Sequence, residues 1–102
     1  MGSLIKVLDH VERCYSNNDG QLIQTLIKSA FRNDEKITLS FKGVDGVTSS
    51  FVNTALIDLL EEFSFDFIKN HLAFSDTNSQ INKLINDRFK FEVKKRKSLV
   101  NC

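Results

Sequence analysis

A single α/β domain is the fold class that this sequence predicts, and three observations carry the expectation. The chain has 102 residues, of which 41% are hydrophobic and 26% charged, ordinary usage for one globular unit with its own core. Short apolar, β-branched stretches take turns along it with longer stretches of helical periodicity. One of the short stretches, Ile37–Lys42, alternates strictly, with Ile37, Leu39 and Phe41 on one side and Thr38, Ser40 and Lys42 on the other. A strand sandwiched between two helical layers is apolar throughout, so this one predicts a two-layer domain with helices packed mostly on one face of the sheet.

Taken in order, Leu4–Leu8 is apolar and reads as a first strand extending toward Val11. The turn formers Ser16–Gly20 then offer several helix caps. From Gln21 the apolar positions Leu22, Ile23, Leu26, Ile27, Ala30 and Phe31 form an amphipathic stripe that ends in the polar turn Arg32–Glu35. After the alternating strand, the turn Gly43–Ser50 leads into a second stripe, Phe51, Val52, Ala55, Leu56, Leu59, Leu60 and Phe63, which predicts one helix with Asp58, Glu61 and Glu62 on its wet side. Ser64–Asn70 fits either a strand or a helical turn, and its phenylalanines either anchor a helix end or form an exposed patch. His71–Ser75 reads as a third strand. Asp76–Ser79 caps a short helix carrying Ile81, Leu84 and Ile85, and Phe89, Phe91 and Val93 alternate like a fourth strand. Lys94–Lys97 begins a basic, frayed tail over 94–102. The expected sheet is thus roughly four-stranded, mixed or mainly parallel, because helix-containing crossovers favour parallel pairs.

Composition narrows the function classes. Fourteen basic residues stand against thirteen acidic ones, for a net charge of +1. A nucleic-acid binder usually shows a clear basic excess, so no nucleic-acid partner is expected. No apolar run nears the ~18 residues of a membrane span, and no signal-peptide pattern opens the chain, so the expected location is cytoplasmic, without membrane association. Cys14 and Cys102 are far apart, lack CxxC spacing and are expected as free thiols, with no metal site. His10 and His71 have no nucleophile at a telling spacing, and no Gly-x-Ser-x-Gly elbow occurs. Gly43 and Gly46 lack both the Lys-Ser/Thr of a phosphate loop and the third glycine of a dinucleotide fingerprint. These absences predict neither catalysis nor a cofactor.

The strongest local signal is Thr48-Ser49-Ser50, at the point where a helix should start. One hydroxyl there can cap the helix, a contribution of ~0.5–2 kcal/mol. Three exceed that need. A phosphate on Ser49 or Ser50 would change the local charge by about −2 at a helix end that favours anions.

The run Ile37-Thr-Leu-Ser-Phe-Lys-Gly-Val44, followed by Val47-Thr-Ser-Ser50 and an amphipathic helix, resembles the STAS domain of bacterial anti-sigma factor antagonists. It is more similar to the STAS-like domain family of unknown function, whose members share a hydrophobic strand, then Thr-Ser-Ser-Phe, then a segment like Leu72-Ala-Phe-Ser-Asp76. The resemblance covers nearly the whole chain and rests on one specific motif of about ten residues. It implies a STAS-like fold, a non-catalytic regulatory role and docking on a histidine-kinase-like ATPase or serine kinase. By register it also implies Ser50 as phosphoacceptor, preceded by Ser49. Thr48 stands where the antagonists have aspartate, and Phe51 where they have glycine. The partner surface is expected at Asp45, Thr48, Ser49 and Ser50, continuing along the helix through Asn53, Thr54, Ile57 and Asp58. The rival expectation is a small nucleotide-binding protein or enzyme with its site at the carboxyl ends of the strands.

Overall fold

A computed structural model describes residues 3–100, with side chains placed through Arg96. Three strands, β1 (Ser3–Lys6), β2 (Ile37–Ser40) and β3 (Leu72–Ser75), form a wholly parallel sheet in the order β1-β2-β3. Four α-helices accompany them: α1 (Asn17–Arg32), α2 (Ser49–Ala55), α3 (Phe65–His71) and α4 (Ser79–Val100). Both crossovers step the same way across the sheet. Right-handed connections therefore place their helices on one face.

Burial agrees with that layering. Pairing aligns Ile37 with Leu72 and Leu39 with Phe74, and Ile37, Leu39 and Leu72 are buried under the helices. The opposite face carries Leu4, Thr38 and Ala73 in one row, with Leu4 68% exposed and Ala73 also at the surface. The alternation of β2 thus reports a covered face and an open one. Ser40, on the open face, is nevertheless buried, and its hydroxyl donates to Asp76 at 2.8 Å.

Local chemistry sets the first helix. Ser16 accepts from the Asp19 backbone N–H while the Asp19 carboxylate accepts from the Ser16 N–H, a reciprocal capping box that starts α1 a turn before Gln21. This places Gly20 inside the helix, on a buried stripe with Ile23, Gln24, Ile27 and Phe31. That stripe packs against α2. At the far end, Phe31 meets Phe63 and Phe67 edge-on at 5.1 and 5.3 Å, and the His71 ring stacks on Phe67 at 3.9 Å. Phe63 and Phe67, half-buried against the buried Phe31, anchor the end of the helical layer. Lys28 and Arg32 of α1 also pair with Glu62, whose carboxyl sits below its usual range: partial desolvation, which raises it, is outweighed by the two cations.

Several expectations are corrected. The fourth strand is absent among the described residues: Phe89, Phe91 and Val93 lie within the 22-residue α4. Their period of two competes with the stripe Ile81, Ile85, Phe89 and Val93, which recurs every four residues, and no glycine or proline interrupts it. The helical stripe wins, leaving Phe91 58% exposed beneath the Arg88 guanidinium. The basic segment from Lys94 lies within α4 as far as Val100; Asn101 and Cys102 lie outside the described residues. The first strand stops at Lys6, where a 3-10 turn over Val7–Asp9 buries Val7. Ser64–Asn70 resolves as helix, capped by the Ser64 hydroxyl accepting from Phe67 N–H, and His71 ends that helix instead of opening the strand. The helix expected over 51–63 divides into α2 and a 3-10 segment, Ile57–Glu61. That division matters for the surface described next.

Candidate functional site

The turn after β2 is held from two sides. Gly43 takes φ +84°, a left-handed conformation that costs glycine little, and the Val44 N–H closes the turn onto the Phe41 carbonyl at 2.9 Å. From one side comes the start of α4. The Asn78 side chain donates to the Asp45 carbonyl at 2.8 Å, while its oxygen accepts from Ile81 N–H at 3.0 Å. The Gln80 amide bonds both ways to Val47, accepting from its N–H and donating to its carbonyl, each at 3.1 Å. A side-chain amide thus satisfies this backbone as a neighbouring strand would.

From the other side comes the loop before α1. The Thr48 N–H donates to the Cys14 carbonyl at 3.2 Å, and the Thr48 hydroxyl donates to the Tyr15 carbonyl at 2.8 Å. The same hydroxyl accepts from Phe51 N–H at 3.2 Å, making Thr48 the N-cap of α2. One hydroxyl therefore both caps the helix and ties it to the loop. Behind it, Phe51, Val52 and Ala55 are fully buried.

The cap assignment separates three adjacent hydroxyls by role. Thr48 is half-buried and committed; Ser49 and Ser50 are exposed on the first turn of α2. Asp45 is exposed on the turn beside them. Four of the eight expected partner contacts, Asp45, Thr48, Ser49 and Ser50, are therefore brought together on one rigidly supported edge.

The other four are not. Asn53 is half-buried and accepts from Arg88 Nε at 2.8 Å. Thr54, also half-buried, donates its hydroxyl to Asn17 Oδ1 at 3.1 Å. Ile57 is withdrawn from the surface altogether at 4% exposure, because the 3-10 segment advances three residues per turn and rotates it into the core. Asp58 is exposed, but it sits in the field of Glu61, Lys28, Arg96 and Glu92 in the 3-10 segment. Partial burial and the Glu61 charge raise its carboxyl above the usual range.

Reading the residues alone missed Asn78 and Gln80, each reaching a backbone partner 33 positions away. It also missed Tyr15, which is 53% exposed and bonded through its carbonyl to the cap. Asn78 was visible only as one of several possible caps. Gln80 carried no signal. At the carboxyl ends of the strands, the rival location, Ser40 and Ser75 both donate to Asp76. Among the described residues there is no group of three His, Cys, Asp or Glu side chains able to hold a metal ion, and no helix long and apolar enough to cross a membrane.

Cys14, at the base of this edge, is a free thiol at 1% exposure. Burial, with a smaller push from the Asp19 carboxylate, raises it from 9.0 to about 12. A group whose folded value lies above its unfolded one contributes stability fully present below pH ~8.5 and lost as pH rises toward the folded value. Two results are expected. At pH 8 a thiol-specific reagent will leave Cys14 unmodified in folded protein and react promptly in urea. The melting temperature will fall above pH 9, and less so in Cys14→Ala. Rapid labelling of Cys14 without unfolding would show that the Thr48 edge opens readily.

The comparisons with known proteins bear on this fold and motif together. Neither the curated proteins nor the solved structures contain a match to the chain. A family model does match, over residues 5–82, which includes the second half of β1, all of β2 and β3 and the Asp45–Ser50 edge. With that span matched, and a parallel sheet whose second strand leads through a capped turn into a serine-bearing helix, the chain belongs to the family described as STAS-like domain of unknown function (DUF4325).

Proposed function

We propose that this domain is a non-catalytic, cytoplasmic regulatory module, acting without a cofactor in the manner of an anti-sigma factor antagonist. It docks on a histidine-kinase-like ATPase or a serine kinase through the Asp45–Ser50 edge, and phosphorylation of Ser50, or of Ser49 beside it, switches the contact. The observation that carries this reading is the division of labour at Thr48-Ser49-Ser50. Because Thr48 alone satisfies the helix cap, both serine hydroxyls stand exposed and free of structural duty. A phosphate there adds about −2 charge to the surface without breaking a bond that the fold uses.

The burial of Phe51 supports the same reading. A large residue where the antagonists have glycine does not cover the serines, because its side chain enters the core. Support for the edge from α4 and from the Cys14–Tyr15 loop supplies the preorganisation that a docking surface needs.

Where a histidine-kinase-like ATPase is encoded beside this chain, that ATPase is the partner for the test. On incubation with that ATPase and ATP, intact-mass measurement should show one added phosphate, absent in Ser50→Ala and retained in Ser49→Ala. Binding should weaken at least tenfold, about 1.4 kcal/mol, in Ser50→Asp and in Asp45→Arg, with unchanged circular dichroism. Asn53→Arg is a poor probe, since it would set a second guanidinium against Arg88. If both edge variants bind as tightly as the parent protein, the docking surface is elsewhere. If binding is lost in Asp45→Arg but no phosphate is ever transferred, the edge docks without a switch.

A further inference from the structure

A second surface lies away from that edge. Between α3, β3 and the later turns of α4 runs an open groove of about 650 Å³. Its floor is apolar: Ile68 of α3, Leu72 and Phe74 of β3, and Ile85, Phe89 and Val93 of α4. It shares no residue with Asp45–Ser50. The strand that lines it, β3, is at the edge of the sheet, and among the described residues no further strand pairs beyond it.

The charges on the rim are of one sign. Lys69 on the α3 wall, over the Phe65 ring, and Lys90 and Lys94 on the α4 wall line it, and among the described residues no carboxylate does. All three lysines are exposed, and none is paired with an acidic side chain among the described residues. The chain as a whole is nearly neutral, at +1, and Lys28, Arg32, Lys83 and Arg96 hold carboxylates, whereas the three lysines of the groove hold none. An unmatched cluster of one sign around an apolar trough is a complementary imprint of its occupant.

We infer that this groove binds an acidic amphipathic segment of a partner protein. Large apolar side chains of the segment enter the trough over Leu72, Phe74 and Phe89, and its Asp or Glu residues meet Lys69, Lys90 and Lys94. The chemistry selects this occupant over others that carry negative charge. A nucleic-acid backbone presents phosphates and polar sugars, with no large apolar side groups to fill an apolar floor. A membrane surface is flat, whereas this site is concave. Three cations on two opposing walls also match several carboxylates spaced along a chain better than a single anionic head. Lys90 and Lys94 are one helical turn apart, about 6 Å along the axis, which suits acidic residues spaced along an amphipathic helix.

A library of random 16-residue peptides displayed on phage, panned against the full chain and counter-selected on K69E/K90E/K94E, tests this directly. The expected enrichment is for peptides combining Leu, Ile or Phe at helical spacing with Asp and Glu between them. The enriched peptide, synthesised with a fluorophore, should bind saturably by anisotropy, lose at least tenfold in affinity to the triple variant, and weaken steeply between 50 and 500 mM salt. The three positions are exposed, so the variant should fold with the circular dichroism of the parent. Enrichment of basic or uncharged peptides, no enrichment, or equal affinity for the triple variant would overturn the inference. So would co-sedimentation with phosphatidylglycerol vesicles in place of peptide binding, or self-association of the chain that the triple variant abolishes. Because Ser50→Asp leaves the groove untouched, it should bind the same peptide as the parent does, whatever becomes of docking at the Asp45–Ser50 edge.

Discussion

Replacing Phe51 with alanine is expected to lower the stability of the domain by about 3–5 kcal/mol, while Ser50→Ala, one residue earlier, changes it by less than about 0.5 kcal/mol. Phe51 has no exposed surface and is among the largest fully buried side chains. Its backbone N–H is already used by the Thr48 cap, so helix and core are secured at the same residue. Removing the ring withdraws a large apolar group and leaves a cavity that rigid neighbours, Val52 and Ala55 on one helix and the α1 stripe opposite, fill only in part. Against a total stability of about 5–15 kcal/mol for a domain, the loss is a large share. Urea unfolding should show a lower midpoint with unchanged slope. Phe51→Gly, the residue of the anti-sigma antagonists, should be worse by roughly another 1 kcal/mol, because glycine also weakens the helix backbone. A loss under 1 kcal/mol for Phe51→Ala would mean that the α2 start is looser than its burial indicates.

That contrast between adjacent residues shows which parts of this molecule are legible in its sequence. Where the determining partners are close along the chain, the residues announce the structure. The Ser16–Asp19 capping box spans three positions, the α1 stripe repeats within two turns, and the alternation of Ile37–Lys42 reports one covered face. The STAS-like motif falls in the same class, since strand, turn and hydroxyls are contiguous. Legibility fails where two periodicities coexist. Phe89, Phe91 and Val93 satisfy a strand locally, and only the longer stripe back to Ile81 shows that the helix continues. It fails again where backbone geometry changes within an apolar run. The stripe Phe51–Phe63 reads as one helix, yet the turn tightens after Leu56, and Ile57 moves from an expected contact into the core.

Long-range polar bonds are the least legible of all. Gln80 holds Val47, and Arg88 holds Asn53, across 33 and 35 positions, and any glutamine or arginine on an exposed helix would look the same in sequence. The candidate edge was therefore located by its contiguous half, Asp45 to Ser50. Its support from α4 became visible only in three dimensions. The groove rimmed by Lys69, Lys90 and Lys94 belongs to this class too, because α3 and α4 bring together lysines that look like ordinary solvated charges in the chain.

The Gly20→Ala substitution offers the sharpest test of the packing behind that edge, because two effects of opposite sign compete. In an exposed helix interior the change stabilises by roughly 0.5–1 kcal/mol, since alanine restricts the unfolded chain and favours the helix. Gly20, however, is buried where α1 crosses α2. A Cβ there would lie 2.9 Å from the Phe51 carbonyl oxygen, 2.9 Å from Thr54 Cβ and 3.1 Å from the Ala55 nitrogen. Two of the three are backbone atoms of a helix, which cannot rotate aside. To admit the methyl group, α1 must back away from α2, which strains the hydrogen bond from the Gln24 amide to the Thr54 carbonyl and the bond between Thr54 and Asn17. Overpacking of this kind typically costs about 1–3 kcal/mol and should outweigh the propensity gain. The expected result is a melting temperature lower by on the order of 5–10 °C in Gly20→Ala, and lower still in Gly20→Val. Ser29→Ala, at an exposed position of the same helix, should be neutral or slightly stabilising. Because α2 carries Ser49 and Ser50, the displacement also moves the docking edge relative to the Cys14–Tyr15 loop, so Cys14 should become easier to label in Gly20→Ala than in the parent. If Gly20→Ala instead raises the melting temperature, the two helices separate at little cost, and the close approach at Gly20 does not fix where α2 presents its serines.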